Sequence, residues 1–174
     1  MRKLRCLALA GALGLAACGA PPKNAGIHIR PDLSPISLGD LYPLPQGQQP
    51  DYGSNKYAPY AWTLLLQSEG TDQLVINKVC VVDDKNHAFT LEGPDITKVA
   101  PGADAALRIT YGDQTVRSNP DNAAIIVQSN ADDFPTLVVP ICAQTVADGS
   151  TRGPVDCTSP VNVKPGTTDA TLCK

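Results

Sequence analysis

The chain has 174 residues, of which 43% are hydrophobic and 18% charged, with 16 Pro, 14 Gly and 6 Cys. That length suits one domain with tails, and an ordinary apolar content with modest charge excludes wholesale disorder. No apolar run reaches the ~18 residues of a spanning helix, and a formal charge of −3 argues against an electrostatic nucleic-acid binder.

Residues 1–17 read as a secretory signal. Arg2, Lys3 and Arg5 form a positive start, and a short apolar segment runs from Cys6 to Ala17. The segment ends in Leu15-Ala16-Ala17-Cys18, which resembles the lipobox of bacterial lipoproteins. In that family a Cys at the position of Cys18 receives diacylglycerol, and cleavage leaves it as the first residue. A thiolate is the nucleophile such a transfer needs, and small residues before it give a peptidase access. The resemblance implies a partner, the membrane, reached through lipidated Cys18. It also implies the bacterial cell envelope as location. Gly19 following Cys18 favours the outer membrane in that family. Removing residues 1–17 takes away three cations and no anion, so the remainder is more acidic than the whole.

Residues 18–35 hold Pro21, Pro22, Pro31 and Pro35 with little periodicity, so they read as an extended, lipid-anchored tether. A first short strand is expected over 36–41. The stretch 43–59 contains four Pro and two Gly without apolar alternation and reads as a long loop. Residues 60–67 follow as a strand with Trp62, Leu64 and Leu66 on one face. Further strands are expected over 74–82, 89–91, 106–111, 123–128 and 136–142, separated by polar or Pro-Gly turns. Pro140 lacks a ladder donor, which places its strand at a sheet edge. Seven short strands with regular turns predict an all-β, immunoglobulin-like β-sandwich over 36–143, with a small barrel as the alternative.

The strands also carry a resemblance. Ile36-Ser37-Leu38-Gly39-Asp40-Leu41 is similar to the opening strand of the ASH family, whose bacterial relatives include the choice-of-anchor D repeats. Leu64 to Ile76 resembles that family's first hairpin, Ala124 to Ile141 its closing hairpin, and Pro101-Gly102 the turn between them. Ser68, Ala131 and Ala143 depart from its usual residues, and 43–59 looks like an insertion. The resemblance implies an immunoglobulin-like interaction module without shared catalytic residues.

Four cysteines lie beyond Cys18: Cys80, Cys142, Cys157 and Cys173. In an oxidising compartment they are disulfide candidates, and four allow three pairings. The preferred arrangement is Cys80–Cys142 with Cys157–Cys173. The rival joins Cys80 to a tail cysteine and straps the tail across the sandwich. The tail, 144–174, lacks apolar periodicity and needs such a staple. The cysteine spacings do not suit zinc, and a redox C-x-x-C is absent.

Little else carries chemistry. His28 falls in the tether and His87 in a turn beside Asp83 and Asp84. Those aspartates, and the pair Asp132-Asp133, fit turn composition better than a calcium loop. No metal, cofactor or catalytic residue is expected. The notable cluster is aromatic: Tyr42, Tyr52, Tyr57, Tyr60 and Trp62 lie within 21 residues. Such composition marks recognition loops, while the plainer reading has the rings pin the long loop to the sheet. The expected function is a non-catalytic envelope binding or scaffolding module with a protein or surface ligand as partner. The alternatives are an accessory subunit or assembly factor of an envelope complex, docking by strand addition, and, behind both, a hydrolase.

Overall fold

The structure is a computed structural model that describes residues 24–174 apart from residues 31, 33 and 165. The expected signal over 1–17, Cys18 and the first part of the tether lie outside the described residues.

Ten strands form in chain order: β1 (Ala25–Arg30), β2 (Ile36–Pro43), β3 (Tyr57–Ala58), β4 (Tyr60–Gly70), β5 (Leu74–Val82), β6 (Phe89–Glu92), β7 (Lys98–Val99), β8 (Asp104–Tyr111), β9 (Asp121–Ser129) and β10 (Thr136–Thr145). They build two sheets, one ordered β1-β4-β8-β6 and the other β3-β2-β10-β9-β5-β7. The first is antiparallel throughout. In the second, β2 runs parallel to both β10 and β3. The chain is an immunoglobulin-like β-sandwich.

The core follows from period-two alternation. β4 contributes Leu64 and Leu66 and β8 contributes Leu107, Ile109 and Tyr111, all fully buried. Opposite them lie Leu74, Ile125, Val127, Val139 and Ile141, also fully buried. Trp62 packs against this core from its edge.

All seven expected strands are present, and three more join them. β1 lies inside the stretch assigned to the tether. Ala25, Ile27 and Ile29 alternate onto the core face and are buried, while β1 pairs along β4 from Ala25↔Gly70 to Arg30↔Leu65. In the sequence its three apolar positions lie between prolines and are too few to announce a strand. Gly70 makes the entry possible: it sits at φ +90°, and a Cβ there would run into the Asn24 carbonyl. The sandwich therefore spans Ala25–Thr145, wider than 36–143 at both ends.

Pro140 corrects a second expectation, because β10 lies between β2 and β9 rather than at an edge. Ser129 N donates to Pro135 O at 3.0 Å. Counting by twos from Pro135, the odd positions of β10 face β9 and Pro140 faces β2. The ladder to β2 begins only at Ile141. The missing N–H therefore falls where no rung is required of it.

The disulfides correct a third. They join Cys80 to Cys173, with Cα atoms 5.8 Å apart, and Cys142 to Cys157, at 5.2 Å. The preferred Cys80–Cys142 pair is ruled out by register. Strand β9 separates β5 from β10, and Ile126 pairs with Cys80 on one side and Val138 on the other. Cys80 is thus two strands and four residues from Cys142. Two inter-strand spacings alone exceed ~9 Å, beyond the ~7 Å limit of a disulfide. The rival arrangement holds instead, and the tail lies across the outer face of the six-stranded sheet.

One end of the core is polar. The Tyr111 hydroxyl, fully buried, donates to Asp121 Oδ2 at 2.7 Å and lies 3.2 Å from Thr145 Oγ1. Thr145 Oγ1 in turn donates to Asp113 O at 2.6 Å. Burial pushes the Tyr111 hydroxyl well above its ordinary pKa; the Thr145 contact opposes this and the Asp121 carboxylate adds to it. A raised folded pKa means a contribution fully present below the unfolded value near ~10 and lost as pH climbs from there through the folded value.

Two outcomes follow. Non-reducing peptide mapping yields peptides that join Cys80 to Cys173 and Cys142 to Cys157; a Cys80–Cys142 peptide would contradict the fold. Tyr111→Phe leaves a buried Asp121 oxygen without its donor and lowers stability by ~1–3 kcal/mol at pH 7. In urea unfolding, the gap between wild type and variant narrows above pH 10. Equal midpoints at pH 7 would show that the hydroxyl is not structural.

Candidate functional site

The tyrosines segregate by the strands that carry them. Tyr42 of β2 and Tyr57 of β3 are directly paired across the parallel ladder, with ring centroids 6.2 Å apart at 53°. Cations cap both ends of this pair. The Lys56 ammonium lies 4.9 Å from the Tyr57 ring, and the Arg152 guanidinium 5.6 Å from the Tyr42 ring. Lys56 is held above its ordinary pKa, first by its hydrogen bond with Tyr57 and then by the charge interaction with the same residue. Tyr42 donates its hydroxyl to Ser150 O at 2.6 Å. Arg152 donates to Asp40 O at 2.7 Å and also to Asn55 O. This group ties loop 44–56 and the start of the tail to β2. Tyr60 packs against the core beside Trp62.

Tyr52 differs. It is 43% exposed, on the long loop. Its backbone carbonyl accepts from Ala61 N at 2.9 Å, which fixes the loop to the start of β4. Its ring lies 5.4 Å from the guanidinium of Arg108, which also reaches Glu92 at 3.3 Å across the β6–β8 pair. Of the four tyrosines, Tyr52 presents a ring outward on an anchored loop.

The acidic turns have local duties. Asp84 accepts from the amides of Ala88 and Phe89, both at 2.9 Å, and so closes the β5–β6 turn. Each oxygen takes one amide, so Asp84 acts as a turn-closing group. Asp133 accepts from Phe134 N at 2.8 Å and from Ile27 N at 3.3 Å, and Asp132 N donates to Ala25 O at 2.8 Å. The second pair therefore fastens β1 to the β9–β10 turn. His28 stands on β1, paired with Gln67 of β4. Among the described residues no group of three or more His, Cys, Asp or Glu converges to hold a metal ion.

A cleft of about 420 Å³ opens beside the β5–β6 turn, lined by Asp83, Lys85, Asn86, Asn122, Thr158 and Pro160 among others. Asn86 Nδ2 donates to Asp121 Oδ1 at 2.5 Å on its floor. Thr158 N donates to Asn122 Oδ1 at 2.9 Å and brings the tail in as a wall. On the far side of Asp121, Arg117 pairs with Asp113 at 2.9 Å. Burial raises the Asp113 carboxyl, but hydrogen bonds from Thr115 and Arg117 outweigh it and hold the group below its ordinary value; the same bond to Asp113 raises Arg117. Hydrogen bonds from Thr171 lower Asp169 in the tail. No local sequence pattern marks Arg152 or Thr158. Their roles depend on where the tail crosses the sheet.

No protein family and no curated protein sequence matches the chain. Solved structures do. A protein of unknown function from Porphyromonas gingivalis W83 is 17% identical with a TM-score of 0.50, over 70% of this chain and 47% of that one. The secreted serine protease VesC from Vibrio cholerae is 14% identical with a TM-score of 0.48, over 69% of this chain and 23% of that one. The ASH / PapD-like domain of human CEP192 (PapD-like domain 7) is 14% identical with a TM-score of 0.45, over 80% of this chain and 99% of that one. The chain thus spans less than half of the first two proteins, and the likeness to the Porphyromonas gingivalis protein is one of fold.

Proposed function

We propose that the chain is a lipid-anchored, non-catalytic binding or scaffolding module of the bacterial cell envelope, with an ASH-type sandwich held off the membrane by its N-terminal segment. The observation that carries this reading is the state of the cysteines. All four beyond Cys18 are joined in two disulfides, which favours an oxidising compartment outside the cytoplasm. Cys18 stands apart from them, directly after the small-residue run that a lipobox requires. Two or three acyl chains, at ~0.8 kcal/mol per buried CH₂, suffice for stable anchoring. Next to His87, the Asp84 carboxylate is spent on closing its own turn, which supports a non-catalytic role. Tyr52, exposed on a fixed loop beside Arg108, is the residue best placed to meet a partner.

Expression in a Gram-negative host with an alkyne-tagged palmitate tests the anchor. The wild-type chain takes the label and sediments with membranes, whereas Cys18→Ser does neither. Label retained by that variant, or absent from the wild type, would overturn the reading.

Retention of isolated cell envelopes by the immobilised protein tests the surface. Tyr52→Ala weakens retention at least ~5-fold with the melting temperature unchanged. Tyr57→Ala removes a ring pair worth ~1 kcal/mol and lowers melting by ~2–4 °C. If Tyr52→Ala lowers melting and leaves retention intact, the loop is structural.

A further inference from the structure

Most of the buried apolar residues fall into two separate groups. The larger lies between the sheets and draws all its members from Ile27 to Ala143. The smaller lies on the outer face of the six-stranded sheet. It consists of Ala124, Ile126, Cys80, Val82 and Val138 from the strands, with Val161, Leu172 and Cys173 from the tail. The inner core thus owes nothing to the tail, and the tail owes its seat to the outer group.

We propose that residues 154–174 form a strap, clasped by two disulfides, that opens as a unit when both bonds are reduced while the sandwich stays folded. The described residues of the strap form no strand. Apart from the two bonds, few of its backbone amides find a partner on the body. Val155 N donates to Ser37 Oγ, Thr158 N to Asn122 Oδ1, Gly166 N to Asp133 O and Asp169 N to Thr136 Oγ1. The carbonyls of Val155, Asp169 and Cys173 accept three more, from Ser37 Oγ, Gln128 Nε2 and Lys78 Nζ. At ~1 kcal/mol each these bonds, with the small outer apolar group, do not offset the ~1–2 kcal/mol per residue of ordering the strap once the cross-links are gone. Just before the strap the chain is held without disulfides, by Arg152 on Asp40 O and by Gly153 N on Asp40 Oδ2. Motion therefore starts at Gly153–Pro154.

The chemistry is thiol–disulfide exchange with an external dithiol. In each bond one cysteine is partly exposed, Cys157 or Cys80, and the other is buried, Cys142 or Cys173. The attacking thiolate bonds to the exposed sulfur, and the buried one leaves as a thiolate and takes up a proton. The second thiol of the dithiol then displaces the exposed cysteine as its thiolate, which is protonated in turn. Each cycle oxidises one dithiol to a disulfide and reduces one protein disulfide to two thiols. Two consequences follow for the surface. The outer face of β5, β9 and β10 becomes an exposed apolar patch, and the cleft beside Asp83 loses its Thr158 and Pro160 wall.

Hydrogen exchange read by mass spectrometry tests this on the folded, oxidised chain treated with dithiothreitol until four thiols can be alkylated. The strap amides that are bonded to the body, those of Val155, Thr158, Gly166 and Asp169, exchange at least tenfold faster than in the oxidised protein. Peptides from β4 and β8 stay within twofold, and binding of a hydrophobic dye rises. A variant carrying Cys80→Ser and Cys173→Ser keeps the other clasp, so Gly166 and Asp169 speed up while Val155 and Thr158 do not. Should that variant fail to fold, reduction of the wild type still decides. Strap amides that stay protected with four free thiols would overturn the proposal. So would β4 and β8 losing protection together with the strap.

Discussion

Strand β9 has no face turned to water, and the arrangement of the chain follows from satisfying both its sides. Ala123, Ile125 and Val127 point into the space between the sheets, where all are fully buried. Asn122, Ala124, Ile126 and Gln128 point outward, and something must cover them. The tail does so in a matched way. Its Thr158 amide donates to Asn122 at one end of the strand, and Gln128 donates to Asp169 O at the other. Between these two amides, Ala124 and Ile126 meet the Cys80–Cys173 disulfide and Leu172. Burying a residue such as Ile126 contributes ~2 kcal/mol, and the amides keep the flanking backbone of the tail from losing its partners.

The same requirement explains why the cross-links run as they do. A bond between two strands of one sheet would staple what the ladder already holds. Bonds from the strands to a chain without secondary structure restrict the part that gains most from restriction. In the chain-entropy account a 15-residue loop is worth ~3 kcal/mol and one near 100 residues ~5 kcal/mol. The two bonds here close separations of 15 and 93 residues and fasten both ends of the covering segment.

Legibility of the fold tracked the length of each apolar pattern. Alternation through Leu107, Ile109 and Tyr111, and through Leu64 and Leu66, placed β8 and β4 correctly because the pattern repeats and turns bound it. β1 was hidden because its alternation is short and lies among prolines. The unbroken run Ala123-Ala124-Ile125-Ile126-Val127 already carried the sign of a strand covered on both faces. It did not say by what, since that depends on strand order. Strand order also decided the disulfides: only the position of β9 between β5 and β10 excludes Cys80–Cys142. The aromatic cluster was visible as a cluster, but its division was not. Tyr42 and Tyr57 meet through a parallel pairing that no local pattern announces, and Arg152 reaches them from more than ninety residues away in sequence.

Strand edges on this sandwich bear on how it can meet another chain. Addition of a partner strand needs a run of unoccupied N–H and C=O groups along an edge. At β1 the outward groups of Ala25 and Ile27 are engaged by Asp132 and Asp133. At β6, four residues long, the Phe89 amide is held by Asp84. The edges of the other sheet, β3 and β7, are two residues each. The tail covers the outer face of the six-stranded sheet, and among the described residues the side-chain surface of the four-stranded sheet is the broad face left open. It presents Thr63, Thr90 and Arg108, with Tyr52 laid against Arg108. Contact through side chains on that face asks for no rearrangement of the backbone. Strand addition at β1 or β6 would first have to displace the aspartates that close those edges.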